Sequence, residues 1–370
     1  MRPGKVFLFI LLTAFLPVAL PLTTASAEGR EITVRTRVTK WGQMPERFEI
    51  AGQALPEGIT ARDFTITGSA NGWGTTARHP FECGVLAVEA DGDGWSLAPE
   101  RFPDKYFYVR EMTVTCRSHP GLSFTLEDIA RTITPTADDF TLVQDDESRL
   151  SAHVYLPEGA EALPLVLVFH GYGDTQNLLT YRTAVAWAEP GSQAARPCVV
   201  VAPTIEDGFY FSDVARARIY EGIVKYIREL IASGAVDDRR VYVMGNSFGG
   251  MASFEIAEQH PGMFAAILAL CPALNYSGAG TAGLSKLTNI PVTIAQAEHD
   301  ETIPASVGKA AAEALKTAGN PNVFLRIYSD AEMNAAGAVL GQENTYSFHH
   351  VELAVMEDET YYEWLFRQSL

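Results

Sequence analysis

The pattern of apolar and polar positions changes texture once along the chain, near Pro135. Ahead of that point it alternates over short stretches. Ile32, Val34 and Val38 share one parity while Thr33, Arg35, Arg37 and Thr39 share the other, as in a strand with one buried face. Residues 64–67, 81–88 and 106–116 repeat the theme, separated by turn clusters such as Asn71-Gly72-Trp73-Gly74 and Asp91-Gly92-Asp93-Gly94. Short strands at fairly regular intervals predict a small β-sandwich over residues 28–135, with only 126–131 weakly helical.

Beyond Pro135 two opening strands, 140–143 and 150–156, lead to 165–169, a continuous apolar run suited to a strand covered on both faces. Helical and strand patterns then alternate: helix 178–188, strand 198–202, helix 213–232, strand 241–244, helix 247–259 and strand 264–270. Strand 292–296, helix 305–318, strand 323–328 and a last helix ending near Arg367 complete the series. Such alternation predicts a mostly parallel sheet clothed by helices over residues 136–370.

A length of 370 residues fits two domains, and 47% hydrophobic with 20% charged residues is enough apolar content for a large core, which excludes a disordered chain. The ends of the chain add a third segment. Arg2 and Lys5 precede an apolar run from Val6 to Leu16, and Ala25-Ser26-Ala27 supplies small residues for cleavage, so residues 1–27 read as a secretory signal peptide. The run is too short for a membrane span and is broken by Pro17 and Pro21. The expected mature chain begins near Glu28 and works outside the cytoplasm, extracellular or periplasmic. A net charge of -17 makes nucleic acid a poor partner, because binding phosphates needs a clustered basic surface.

Four cysteines bear on that compartment. Cys83 and Cys116 each share a parity with apolar neighbours in strand-like segments, and an inter-strand or inter-sheet disulfide between them is expected. Cys198 and Cys271, in separate buried strands, are expected to stay unbridged.

The chemistry concentrates after residue 164. Gly245-Asn246-Ser247-Phe248-Gly249 follows an apolar strand and opens a helix, so the spacing G-x-S-x-G stands in the strand, turn, helix context that lifts a serine hydroxyl above a sheet. A nucleophilic serine needs two amides for its oxyanion: that of Phe248, the next residue, and that of Tyr172 in His170-Gly171-Tyr172-Gly173. His170, ending a buried strand, is expected to order this loop. The acid should lie just past strand 292–296, where Asp300 is favoured over Glu298, Glu301 and the later Asp330, and His299 reads as a surface residue. The base should lie before the last helix, where His349 and His350 both qualify. No phosphate loop and no zinc-spaced histidine and carboxylate cluster is present in the sequence, so neither a cofactor nor a metal is expected.

Together these motifs resemble the α/β-hydrolase superfamily, and residues 242–272 resemble its secreted esterase branch of polyhydroxyalkanoate depolymerase-like and feruloyl esterase-like enzymes. The similarity begins near Asp139. A strand-rich region ahead of such a unit is similar to the immunoglobulin-like domain of two-domain bacterial esterases. The resemblance also implies a base fifteen residues before the tryptophan of a Trp-Leu pair, which from Trp364-Leu365 is His349. It implies a serine esterase with a Ser247, Asp300, His349 triad, acting on small-molecule or polymeric esters. A prolyl oligopeptidase-like peptidase shares the triad but carries a β-propeller that the region before residue 136 is too short to form. A non-catalytic binding protein on the same fold is the reading from another class.

Overall fold

The computed structural model describes residues 29–71, 77–103, 105–174, 177–340 and 347–370. The leader and the middle of the turn after Asn71 lie outside the described residues. Among the described residues, the chain from Gly29 to Ile133 carries strands and short 3-10 turns but no α-helix. Strands β1 (Glu31–Thr39), β2 (Gly42–Ala51), β3 (Phe64–Asn71), β4 (Arg78–Cys83), β5 (Val85–Asp91), β6 (Gly94–Pro99), β7 (Val109–Cys116), β8 (Phe124–Thr125) and β9 (Ile129–Ile133) form two sheets, ordered β5-β6-β2-β1-β9 and β4-β3-β7-β8. Alternate residues of both turn inward to one core, with Val34, Phe48 and Trp95 from the first meeting Ile66, Val114 and Phe124 from the second. β1 runs parallel to β9, and the other pairs are antiparallel.

Two expectations fail here for local reasons. The stretch 81–88 is two strands: the chain leaves one sheet at Cys83 and enters the other at Val85, turning at Gly84. The weak helix at 126–131 is a 3-10 turn, Leu126–Asp128, closed by Thr125 and Asp128 in a capping box, and strand β9 follows it.

The expected disulfide is also absent. Cys83 on β4 and Cys116 on β7 lie on opposite sides of β3, facing Ile66 and Phe64 of that strand respectively. Two strand spacings alone put at least roughly 9 to 10 Å between their Cα atoms, before the two-residue offset along β3 is added, beyond the ~7 Å limit of a bridge. Each thiol has its own partner: Cys83 donates to the Glu100 carbonyl at 3.2 Å, and Cys116 lies 3.7 Å from the Ser118 hydroxyl. Cys198 and Cys271 are free as well.

The second sheet-bearing unit comprises β10 (Thr141–Asp145), β11 (Leu150–Tyr155), β12 (Leu163–Phe169), β13 (Val199–Pro203), β14 (Val236–Asn246), β15 (Ala266–Leu270), β16 (Val292–Ala297) and β17 (Val323–Tyr328). Their order is β10-β11-β13-β12-β14-β15-β16-β17, antiparallel over the first three and parallel from β13 onward. Helices cover both faces. One face packs Ile223 and Ile227 of helix Asp213–Ala232 with Met251 and Phe254 of helix Phe248–Gln259. The other packs Trp187, Val351 and Leu365. The long helix is joined to the helix Phe248–Gln259 by a buried ion pair, Arg216 to Glu255, with both carboxylate oxygens engaged at 2.7 and 2.8 Å. The predicted helix 178–188 is reduced to turns at its two ends, Asn177–Leu179 and Val185–Ala188.

The two units touch through the β1–β2 turn. Lys40 donates to the Ala336 carbonyl at 3.1 Å, and Trp41 lies against Gly337, where an added Cβ would stand 2.2 Å from the ring. Among the described residues no helix is long and apolar enough to cross a membrane.

Candidate active site

Ser247 stands between the end of β14 and the helix Phe248–Gln259, with φ 56° and ψ −119°. Its amide donates to Leu270 O at 2.9 Å, and its carbonyl accepts from Ala273 and Met251 at 2.9 and 3.1 Å, so both sides of the turn are fastened. So tight a turn leaves no space for side chains beside it. A Cβ on Gly245 would meet Gly249 backbone at 2.5 Å, and one on Gly249 would meet the Phe169 carbonyl at 2.4 Å. The two glycines of the motif are therefore required by close approach of backbone to backbone.

The loop after β12 is held from below by His170. Its Nδ1 lies 2.7 Å from Gly171 O, its Nε2 accepts the Ile205 amide at 2.8 Å, and its own carbonyl accepts the Tyr210 hydroxyl at 2.8 Å. Burial lowers its pKa, and with one nitrogen donating and the other accepting the ring is neutral. Farther along, Gly173 donates to Asp207 at 2.8 Å. The rings of Tyr172 and Phe248, whose amides are the expected oxyanion donors, lie 5.7 Å apart. Phe211 and Tyr276 complete an aromatic rim around Phe248, at 5.4 and 5.2 Å.

Asp300 follows β16 by three residues, and its carboxylate is fully engaged. It accepts from the amides of Thr302 and Ile303 at 2.8 Å each and from Gln296 Nε2 at 3.0 Å. Both of its oxygens face His349 Nδ1, at 2.9 and 3.0 Å. Of the two adjacent histidines, therefore, it is His349 that meets the acid. His350 turns away, with Nε2 2.8 Å from the Tyr181 hydroxyl and Nδ1 3.4 Å from Ser347 Oγ. Burial, aided by the neighbouring His349 and Lys105, takes its pKa down to about 3, so it is neutral.

Two of the competing acids have other work. Glu301 accepts the Phe348 amide at 3.1 Å, and Asp330 holds the exposed His299 at 2.7 Å, which raises the pKa of that histidine.

Three participants escaped sequence reasoning. Cys271, just after β15 with φ 36°, donates its thiol to the His349 carbonyl at 3.2 Å, linking the strand beside Ser247 to the histidine turn. Its sulfur, an Asp300 oxygen and a His349 nitrogen lie within 4.8 Å of one another, the spacing of metal ligands, but burial pushes the thiol well up and it is not a thiolate at neutral pH. Gln296 could have been suspected as a polar residue closing an apolar strand. Lys105 carried no signal at all: it lies in the N-terminal unit, yet it is 2% exposed and its ammonium is 5.0 Å from the centre of the Tyr181 ring.

With this geometry in view, comparison with known proteins is informative about the fold. Residues 215–288 match the model of the prolyl oligopeptidase family, a stretch that spans the helix before β14, the Ser247 turn and the strand after it. No curated protein matches the chain. Among solved structures, the chain is similar to a thermostable esterase at 19% identity and a TM-score of 0.72, covering 92% of this chain and 100% of that one. It is also similar, at 17% identity and a TM-score of 0.45, to the thermophilic esterase Est2 of Thermogutta terrifontis, over 63% of this chain and 92% of that one. Est1E of Butyrivibrio proteoclasticus stands at 16%, 0.44, 62% and 99% respectively. The sheet order and the near end-to-end superposition on the first of these define an α/β-hydrolase fold preceded by an all-β unit.

Proposed function

We propose that the chain is a secreted serine esterase that hydrolyses carboxylic esters through an acyl-enzyme. The observation that carries this reading is Asp300 gripping Nδ1 of His349 on the side of the sheet end where the strained Ser247 turn stands. Ser247 Oγ attacks the ester carbonyl as Nε2 of His349 takes its proton. The amides of Phe248 and Tyr172 receive the oxyanion, and the imidazolium, held by Asp300, returns the proton to the leaving alcohol. Water then repeats the sequence on the acyl-enzyme.

The surroundings favour apolar esters. Tyr172, Phe211 and Tyr276 are 41%, 61% and 49% exposed beside Phe248, an uncovered aromatic surface next to the nucleophile. Between β15 and β16 the described chain forms only two 3-10 turns, Leu274–Tyr276 and Gly283–Lys286, so no large cap covers the site from there. The signal peptide of residues 1–27 and an immunoglobulin-like identity for the all-β unit are parts of the same reading.

A peptidase is the second reading, favoured by the family match at 215–288. That segment holds the nucleophile turn and its flanking helices, which ester and peptide hydrolases of this fold have in common. A panel of matched esters and amides with the mature protein, wild type and Ser247→Ala, tests both readings: ester turnover lost in the variant supports the proposal, and retained turnover ends it.

A further inference from the structure

We propose that Lys105, carried by the N-terminal β unit, is a positioning residue for the base of the neighbouring catalytic unit. The inference rests on the esterase reading for its activity readout, and on the geometry alone for its structural one.

A lysine 2% exposed is costly to bury unless charge or polar groups receive it, so its place needs a reason. Lys105 precedes the 3-10 turn Tyr106–Tyr108, and its stem runs beside the β1–β2 turn into the catalytic unit. A Cβ on Gly42 would stand 2.9 Å from Lys105 Cδ and Cε and 2.5 Å from the Thr180 carbonyl, so Gly42, at φ 83°, leaves the slot through which the side chain passes. At the end of that slot the ammonium faces the ring of Tyr181, 5.0 Å from its centre, a cation–π contact removed from solvent. The hydroxyl of the same tyrosine is 2.8 Å from His350 Nε2. His350 shares a tight turn with His349, since its amide donates to Ser347 O at 3.0 Å while the His349 amide reaches Ser347 Oγ at 3.3 Å.

A continuous line of contacts thus runs from one unit to the residue that presents the base: Lys105, Tyr181, His350, His349. Two buried acids also register the lysine charge. Asp174, from the oxyanion loop, and Glu352, which begins the helix Glu352–Val355, are each 3% exposed; burial raises the pKa of both, and the Lys105 charge opposes that rise. Among the described residues both Glu352 oxygens and Asp174 Oδ1 have no hydrogen-bond partner. Among the described residues Lys105 is linked to the base through Tyr181 and His350 rather than through the substrate pocket, so its loss should slow turnover without weakening substrate binding.

The test uses the full mature chain with a short-chain aryl ester. Lys105→Met keeps the stem and removes the charge, Lys105→Arg keeps a charge, and Tyr181→Phe cuts the link from the other unit. Misplacing a catalytic group by a fraction of an ångström to one ångström costs roughly ten- to a hundredfold, so Lys105→Met and Tyr181→Phe should each lower kcat by about that factor with KM within about twofold. Lys105→Arg should recover part of the loss, and the Met/Phe double variant should be no worse than the poorer single one. Independently of activity, Lys105→Met should move the ring nitrogen resonances of His350 in a histidine-labelled sample. Wild-type kcat in Lys105→Met, alongside an inactive Ser247→Ala, overturns the proposal and leaves the esterase reading intact. Activity surviving in Ser247→Ala overturns the esterase reading, and the His350 resonances then decide the Lys105 contact by themselves. If Lys105→Met fails to fold, Tyr181→Phe decides: an unchanged kcat with unchanged His350 resonances overturns the proposal.

Discussion

Ser247 holds a strained positive-φ conformation that costs an ordinary L-residue roughly 1–3 kcal/mol, and the cost is offset by the three backbone hydrogen bonds that clamp its turn. Alanine can occupy the same backbone with less bulk, so Ser247→Ala should unfold like the parent and lose nearly all ester turnover. The adjacent histidines separate on geometry. His349→Ala removes the group bound to Asp300 and should cost ~10³-fold or more in kcat, as the loss of a triad member does. His350→Ala, which disturbs position only, should cost about a tenth to a hundredth of that rate loss. A reversed ranking in steady-state kinetics would sink the assignment of the base. Glu352 supports a pH prediction. Its pKa is pushed from 4.5 up to about 8, chiefly by burial, so the folded state binds its proton more tightly than the unfolded chain. The associated stability is fully present below the unfolded value of 4.5 and is lost as pH rises through about 8. Asp174, raised from 3.8 to about 8 by burial, works in the same direction. Glu352→Gln should therefore raise Tm relative to wild type more at pH 8.5 than at pH 5, and an equal difference at both pH values in scanning calorimetry would refute the account.

Among the elements, the turn at Ser247 admits the least change. Gly249→Ala drives a methyl to 2.4 Å from the Phe169 carbonyl, and neither backbone segment can retreat without moving the loop that carries Tyr172. Overpacking of this kind typically costs about 1–3 kcal/mol, so the variant should lose both Tm and turnover, while the exposed Gly191, with open space around it and no positive φ, is a control for handling. The cysteines give an element-scale prediction of the opposite kind: unfolding without reductant should expose four alkylatable thiols, because β3 separates Cys83 from Cys116. Much of this scale was legible in the sequence. The 213–232 helix and the 323–328 strand were read to the residue, the one by its long amphipathic period and the other by a short β-branched and aromatic run. Strands β2 and β6 were not read, because Pro45, charged residues and Gly94 interrupt their alternation and only cross-strand partners define them. The disulfide reading failed for a related reason. Parity says which face a cysteine takes, whereas the order of strands in the sheet decides its neighbour.

For the molecule as a whole, two units with separate cores meet at the β1–β2 turn and through Lys105, and what the meeting does to the site could not be read from spacing along the chain. The candidate residues Ser247, Asp300 and His349 were accessible from the order of elements, Ser247 following β14, Asp300 following β16 and His349 lying between β17 and the last helices; Lys105, Tyr181 and Cys271 are placed by contacts that only the fold creates. Substrate choice belongs to this scale. Ester and amide cleavage share a tetrahedral intermediate, but an amide needs its poor leaving nitrogen protonated and its chain held in register. The described surface beside Ser247 is aromatic and exposed at Tyr172, Phe211 and Tyr276, and the 3-10 turns between β15 and β16 build no enclosing wall. Apolar rings bind an alkyl or aryl group without fixing the direction of a peptide backbone. Esters of short acyl chains should therefore be hydrolysed with much higher kcat/KM than amides of the same acyl group, and proline-containing peptides should be cut poorly. Unactivated substrates must be compared, because activated aryl esters acylate most serine nucleophiles. Equal specificity constants for an unactivated ester and its matched peptide amide would replace the esterase reading with the peptidase one.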